Sequence, residues 1–292
     1  MPTPSRPKAL VRPIGDDDLD DVIACLQRGF PERPRDYWRI GLDRMGRRPA
    51  IEDYPRYGNV LVVDGKIAGV LLLIFSARES ASGSRILCNL SSWCVDPQHR
   101  SFALLLHTQS VKRAEVVYMN ISPAVHTRKV IEALGFSRFS QGQIFTAPLL
   151  SRARRKARIF AFSANAPEAA LLPEEERQIL SEHAAIGCRA LICVSEGRAY
   201  PFAFQPRNVL RNLISCPQLI YCRDVSEFVA FAHAIGRYLL FRSGPLCVLD
   251  AIDDMPGLVG RFFTGRFPKY FKGPARPNLG DLAYTELVLL GP

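Results

Sequence analysis

A chain of 292 residues, 48% of them hydrophobic, is long enough for two domains of ordinary size, each with its own core. A formal net charge of +10 and a pI near 9.4 favour an anionic partner, whether a polyphosphate cofactor, a nucleic acid or an acidic membrane surface. No stretch reaches the roughly 20 apolar residues of a spanning helix, because Val60 to Phe75 is interrupted by Asp64, Gly65 and Lys66. The opening MPTPSRPKALVRP lacks the apolar centre of a signal peptide, so a cytoplasmic protein is expected. The eight cysteines are scattered and form no Cys-x-x-Cys pair, which reads as buried thiols, with no metal expected.

Lys8 to Ile14 reads as a strand, and Asp16, Asp17 and Asp18 suit the positive start of a helix carrying Leu19, Val22, Ile23 and Leu26 on one face. A second helix fits Asp36 to Arg48. Val60 to Val63 and Ile67 to Phe75 flank the turn pair Asp64-Gly65, a hairpin signature. The strand Leu87 to Val95 then runs into DPQHRSFALLL, where Pro97 ends it and Phe102, Leu105 and Leu106 begin a helix, with Leu105 expected in the core. Val116 to Ile121 is the next strand, with Ser122 as helix cap, Pro123 at the first helical position and Gly135 as terminator. A strand over Gln143 to Leu149 closes the half.

Residues 151–158, SRARRKAR, carry five basic side chains and read as a solvated linker between domains at 1–150 and 159–292. The second half repeats the order of the first. DGKIAGVLLL returns as EGRAYPFAF, WCVD as YCRD, VVYMN as LCVLD and Gly135-Phe136 as the segment around Gly265, each displaced by about 130 residues. The first helix returns at Pro173, which leaves about 25 residues missing from the second copy, the span of the second helix.

On VDPQHRSFALLL and PAVHTRKVIEALGF, residues 8–150 resemble the GNAT (GCN5-related N-acetyltransferase) superfamily. The resemblance implies an α/β fold, an α+β mixed sheet: two tandem GNAT-like domains, each a mostly antiparallel twisted sheet flanked by helices. It further implies that acetyl-CoA or another acyl-CoA lies where the strand parts from its neighbour, its pantetheine pairing with the backbone of Trp93, Cys94 and Val95. Its diphosphate would take amides from Arg100, Ser101, Phe102, Ala103, Leu104 and Leu105, where a strand-to-helix turn gathers N–H groups at a helix start. The family pattern is Gln or Arg, two residues, Gly, one residue, then Gly or Ala. Arg100 matches it, and Ala103 and Leu105 occupy the small-residue positions.

The family's leaving-group tyrosine is replaced by Ile131, which has no proton to give, and the acid of the preceding strand falls at Ser91 and Ser92, which cannot act as a carboxylate base. Ser91, Ser92, Asn120 and His126 are the catalytic candidates, with Ser122 beside them. Two functions stay open: acyl transfer from acyl-CoA to a small-molecule or peptide amine, in which positioning supplies much of the rate, or non-catalytic acyl-CoA binding. In the second copy Asp224 and Glu227 occupy the corresponding helix start and would repel a diphosphate, so that copy is expected to be structural or to shape the acceptor site, the two halves forming a pseudo-dimer. The aromatic and basic segment 261–277 is expected to be a loop with its rings in the core, which disfavours a nucleic-acid partner.

Overall fold

The computed structural model describes residues 8–80, 83–152, 154–209 and 214–291. Among these residues the contacts divide the chain into two compact units, 8–120 with Leu289–Gly291, and 121–288.

In the first unit β1 (Ala9–Pro13), β2 (Gly58–Val63), β3 (Lys66–Ser80), β4 (Gly83–Val95) and β5 (Val117–Asn120) lie side by side in that order. All neighbours are antiparallel except β4 and β5, which run parallel. The β2–β3 hairpin turns at Asp64-Gly65, with φ of 49° and 82°, the left-handed geometry that this residue pair tolerates. Helix α1 (Leu19–Gly29) buries Val22, Ile23, Cys25 and Leu26 against β3 and β4, with α2 (Arg35–Gly46) beside it. Gly41 of α2 meets Leu290 of the returning C-terminal segment so closely that a Cβ would lie 2.1 Å from its Cδ2. Helix α3 (Ala103–Ser110) follows a 3-10 turn at Pro97–Phe102 and packs on β1, β2 and β3.

The second unit begins with a 3-10 turn, Val125–Thr127, and α4 (Arg128–Ala133), ended by Gly135 at φ 88°. Its strands are β6 (Ser137–Thr146), β7 (Arg158–Ala161), β8 (Arg189–Ser195), β9 (Arg198–Gln205), the small pair β10 (Asn208–Val209) and β11 (Ile214–Ser215), β12 (Gln218–Tyr221), β13 (Cys247–Ala251) and β14 (Gly260–Lys272). The sheet order within this unit is β14-β6-β13-β12-β9-β8-β7, and only β12–β13 is parallel. Helix α5 (Glu174–Ala185) leads directly to β8, so the second helix of the first unit has no counterpart here. Helix α6 (Val225–Ser243) buries Phe228, Phe231, Ile235 and Leu239 against Phe202, Phe204, Leu219 and Leu249. The chain closes with α7 (Glu286–Leu289).

Several expectations are corrected. β6 ends at Thr146, not Leu149, because Pro148 opens a 3-10 turn. It pairs on both sides with strands of the second half, β13 and β14, so the compact units divide at Asn120 and not within 151–158, of which Ala153 lies outside the described residues. The N-terminal residues 1–7 lie outside them too. Ser122 does not cap α4; its hydroxyl donates to Glu286, and the helix starts only at Arg128. The segment from 261 is strand rather than loop, and Phe263 and Phe267 are 37% and 44% exposed while Tyr270 is buried. Leu105 is also not in the core: it is 36% exposed and Leu104 54%, whereas Leu106, His107 and Ser110 face inward.

Candidate functional site

The parallel ladder between β4 and β5 is short. It pairs Leu87 with Val117, Cys88 with Tyr118 and Asn89 with Met119, and stops there, although β4 continues to Val95 along its other neighbour. The buried carboxamide of Asn89 stands at the fork and donates to the carbonyls of Leu90 (3.1 Å) and Met119 (3.3 Å), one on each strand. It therefore satisfies backbone acceptors that the lost ladder would leave bare in a buried place. Just beyond, Val70 pairs with Cys94 and Leu72 with Ser91, so Ser92 and Trp93 together oppose Leu71. This is a β-bulge, carried by Ser92 at φ 53°, and it re-aims the side chains that follow.

Ser91 is buried and Ser92 half-buried, their hydroxyl oxygens 3.0 Å apart. Trp93 sits 5.1 Å from the ring of His107 on α3, and its indole Nε1 is buried without a protein acceptor. Cys94 points at α1: a Cβ on Gly29 would fall 2.5 Å from its own Cβ. The neighbouring Cys25 thiol, followed by burial, pushes the Cys94 thiol above its ordinary range, which favours the neutral thiol over the thiolate. Val95 and Asp96 lead out of the strand, and Asp96 is fixed by Arg28, whose guanidinium donates to both carboxylate oxygens at 3.0 and 2.8 Å.

In the turn that follows, the amide of His99 donates to Asp96 C=O (2.9 Å) and that of Ala103 to Arg100 C=O, so these N–H groups are used internally. Leu104 and Leu105 lie in the first turn of α3, which continues directly from that 3-10 turn. Arg100 and Ser101 are exposed, and Phe102 and Ala103 half-buried. In the first unit Ser91 to Val95 lie on β4, the turn at 97–105 follows it, and the half-buried Asn120 ends β5. His126 and Ser122 belong to the second unit, both exposed, and Ile131 is buried there. Asn89 is the residue that sequence reasoning missed. Among the described residues no group of three or more His, Cys, Asp or Glu side chains could hold a metal, and no helix is long and apolar enough to cross a membrane.

The second unit repeats the fork with a different outcome. β12 and β13 pair only at Gln218 and Val248, and β12 carries its own irregularity between Leu219 and Tyr221. The edge this exposes is taken by the chain itself: Cys222 N–H donates to Gly280 C=O (2.9 Å), Leu282 N–H to Ile220 C=O (2.8 Å), and Tyr221 bridges Asp281. Only glycine fits at 280, since a Cβ would lie 2.5 Å from the Cys222 sulfur and 2.7 Å from its carbonyl oxygen. The start of α6 is occupied as well: Asp224 accepts from Ser226 N–H at 2.7 Å, and the Ser226 hydroxyl, followed by that N–H, holds its carboxyl low.

No protein-family model matches the sequence, and no curated protein does either. Solved structures do share the fold. A GCN5-related N-acetyltransferase from Anabaena variabilis superposes with a TM-score of 0.58 at 8% identity, over 91% of this chain and 72% of that one. A putative acetyltransferase from Pyrococcus horikoshii gives 0.54 at 11% identity, over 94% and 93%. Eis1 from Mycobacterium abscessus gives 0.54 at 14% identity, over 91% and 73%.

Proposed function

We propose that this chain, which has the fold of GCN5-related N-acetyltransferases, moves an acyl group from acyl-CoA to an amine, with the fork of β4 and β5 as its only cofactor-binding place. The observation that carries the reading is the ladder ending at Asn89 while β4 runs on to Val95, which leaves a strand edge beside the bulge at Ser92. Such an edge can pair with a ligand's amides as it would with another strand. Trp93, Cys94 and Val95 would hold the pantetheine, and Arg100 with the amides of Leu104 and Leu105 would hold the diphosphate at the start of α3. Acyl-CoA, when bound, supplies a thioester carbonyl open to attack by an amine. The chain's part is then to position that carbonyl, with Ser91, Ser92 and Asn120 as the polar groups of the first unit available for it.

The second fork supports one cofactor per chain rather than two. Its edge is filled by Gly280 to Leu282, and its helix start is held by Asp224. Non-catalytic acyl-CoA binding is the second reading, favoured by the buried Ile131 and by the absence of a carboxylate at Ser91 and Ser92. Titration calorimetry with CoA, acetyl-CoA and longer acyl-CoAs tests the first step: one site per chain is expected, lost in Arg100→Glu. No heat with any thioester would remove both readings. Release of CoA in the presence of an amine panel separates transfer from binding alone.

A further inference from the structure

Strands β6 and β14 of the second unit carry a surface that the acyl-transfer reading does not use. On the paired strands β6 and β14, Arg261 lies opposite Phe145, and Phe263 opposite Gln143. The rings of Phe145 and Phe263 meet edge to face at 5.5 Å. Three guanidinium groups stand over these rings and over Phe267: Arg261 at 5.2 Å from the centre of Phe263, Arg266 at 4.8 Å from Phe145 and 5.6 Å from Phe267, and Arg207 at 5.4 Å from Phe267.

Exposed aromatic rings ordinarily cost free energy, and here Phe263 and Phe267 remain 37% and 44% exposed beside arginines. None of Arg207, Arg261 and Arg266 forms an ion pair with a carboxylate among the described residues; Arg207 donates instead to Gln218 Oε1 at 3.0 Å. Burial, and then the charge of Arg266, hold the Arg207 guanidinium below its ordinary range, so the cluster crowds positive charge. Asp250, whose charge Arg207 feels, is already committed to Lys269. Guanidinium groups without a carboxylate partner, set beside partly exposed rings, are complementary to a ligand that offers both a flat ring and a phosphate.

From this juxtaposition we infer that the Phe145, Arg207, Arg261, Phe263, Arg266 and Phe267 face of β6 and β14 binds a nucleotide, its base stacked on the phenylalanines and its phosphate held by the arginines. A free nucleotide and an unpaired strand of nucleic acid present the same chemistry. A double helix does not, because its bases are already stacked on each other.

Fluorescence anisotropy with labelled single-stranded RNA and DNA of about 12 nucleotides, with AMP and ATP as competitors, tests the assignment on the full chain. Three phosphate-neutralising arginines predict a slope of log affinity against log salt of about −2. Arg266→Gln should weaken binding and flatten that slope by about 0.7. Phe263→Ala should weaken binding roughly 5- to 100-fold with the slope unchanged. Both side chains are exposed, so melting temperatures should stay near that of the parent chain, and the differing slopes separate contact from general damage. Displacement by AMP or ATP assigns the site to free nucleotides, and binding of the oligonucleotide alone assigns it to a single strand. No binding at low salt, a duplex bound more tightly than its single strands, an unaltered affinity in both variants, or displacement of the probe by one equivalent of CoA would overturn the inference.

Discussion

Replacing Lys269 with methionine should destabilise the second unit by about 3–5 kcal/mol. The Lys269 ammonium lies 3.1 Å from Asp250 Oδ1 and 3.3 Å from the carbonyl of Ile121, and the two charged side chains are 2% and 1% exposed. Gln143 Nε2 donates to the same carboxylate oxygen at 3.1 Å, while Asp250 Oδ2 and Gln143 Oε1 are buried without a protein partner. At an effective dielectric of about 20, two unit charges at this separation attract by roughly 5 kcal/mol. Desolvation of both ions cancels much of that, so the intact pair is worth little beyond an apolar pair of the same shape. Removing one partner is different, because it leaves Asp250 charged, buried and facing a single amide. Urea denaturation of Lys269→Met should show the full loss, and Lys269→Met combined with Asp250→Asn should recover at least half of it. A single variant within about 1 kcal/mol of the parent chain would refute the reasoning, since it would mean that water reaches the pair.

Asn89→Leu removes the donor at the fork and leaves the Leu90 and Met119 carbonyls without it, so it should cost about 1–3 kcal/mol in urea melts and weaken acyl-CoA binding in calorimetry more than a distant substitution of equal cost. The Arg12 guanidinium, which donates to Asp18, holds that carboxyl at about 2, below the usual range. A depressed folded-state value means that the pair's contribution is present above pH ~4 and is lost as pH falls through about 2. Asp18→Asn should therefore be less stable by about 1 kcal/mol at neutral pH, given the solvent screening of this pair, with the difference vanishing in melts at the acid end. Burial raises the thiols of Cys88, Cys222 and Cys247 well above their ordinary range and that of Cys193 to about 12. All eight cysteines are free and only Cys94 is half-buried. A thiol reagent at pH 8 should accordingly label at most Cys94 in the folded chain and every cysteine after denaturation.

What the sequence made legible was local. Asp64-Gly65 announced the β2–β3 hairpin and Gly135 the end of α4, because each states a backbone geometry that few residues tolerate. The missing second helix was readable as a gap in the repeat, and α5 does run straight into β8. What failed depended on distant partners. The pairing of β6 with β13 and β14 is set by residues more than a hundred positions on, so a boundary placed in the basic run 151–158 followed composition and not contacts. Leu104, Leu105 and Leu106 in succession carry no periodicity of their own, and only the packed helix decides that Leu106 goes inward. Asn89 was invisible because a polar residue in an apolar strand acquires its meaning from the place where β5 leaves, and that place is not written in β4. The filling of the second fork was likewise hidden, because the close approach that leaves room only for glycine at 280 is made to Cys222, far back in the chain.

The edge of β4 can be tested most directly by amide hydrogen exchange with and without acetyl-CoA. Trp93, Cys94 and Val95, together with the turn from Gln98 to Leu105, should gain protection on adding ligand, while Ile220 to Cys222, already paired with Gly280 to Leu282, should not change. Protection at Ile220 to Cys222, or none at Trp93 to Val95 under saturating ligand, would contradict the account.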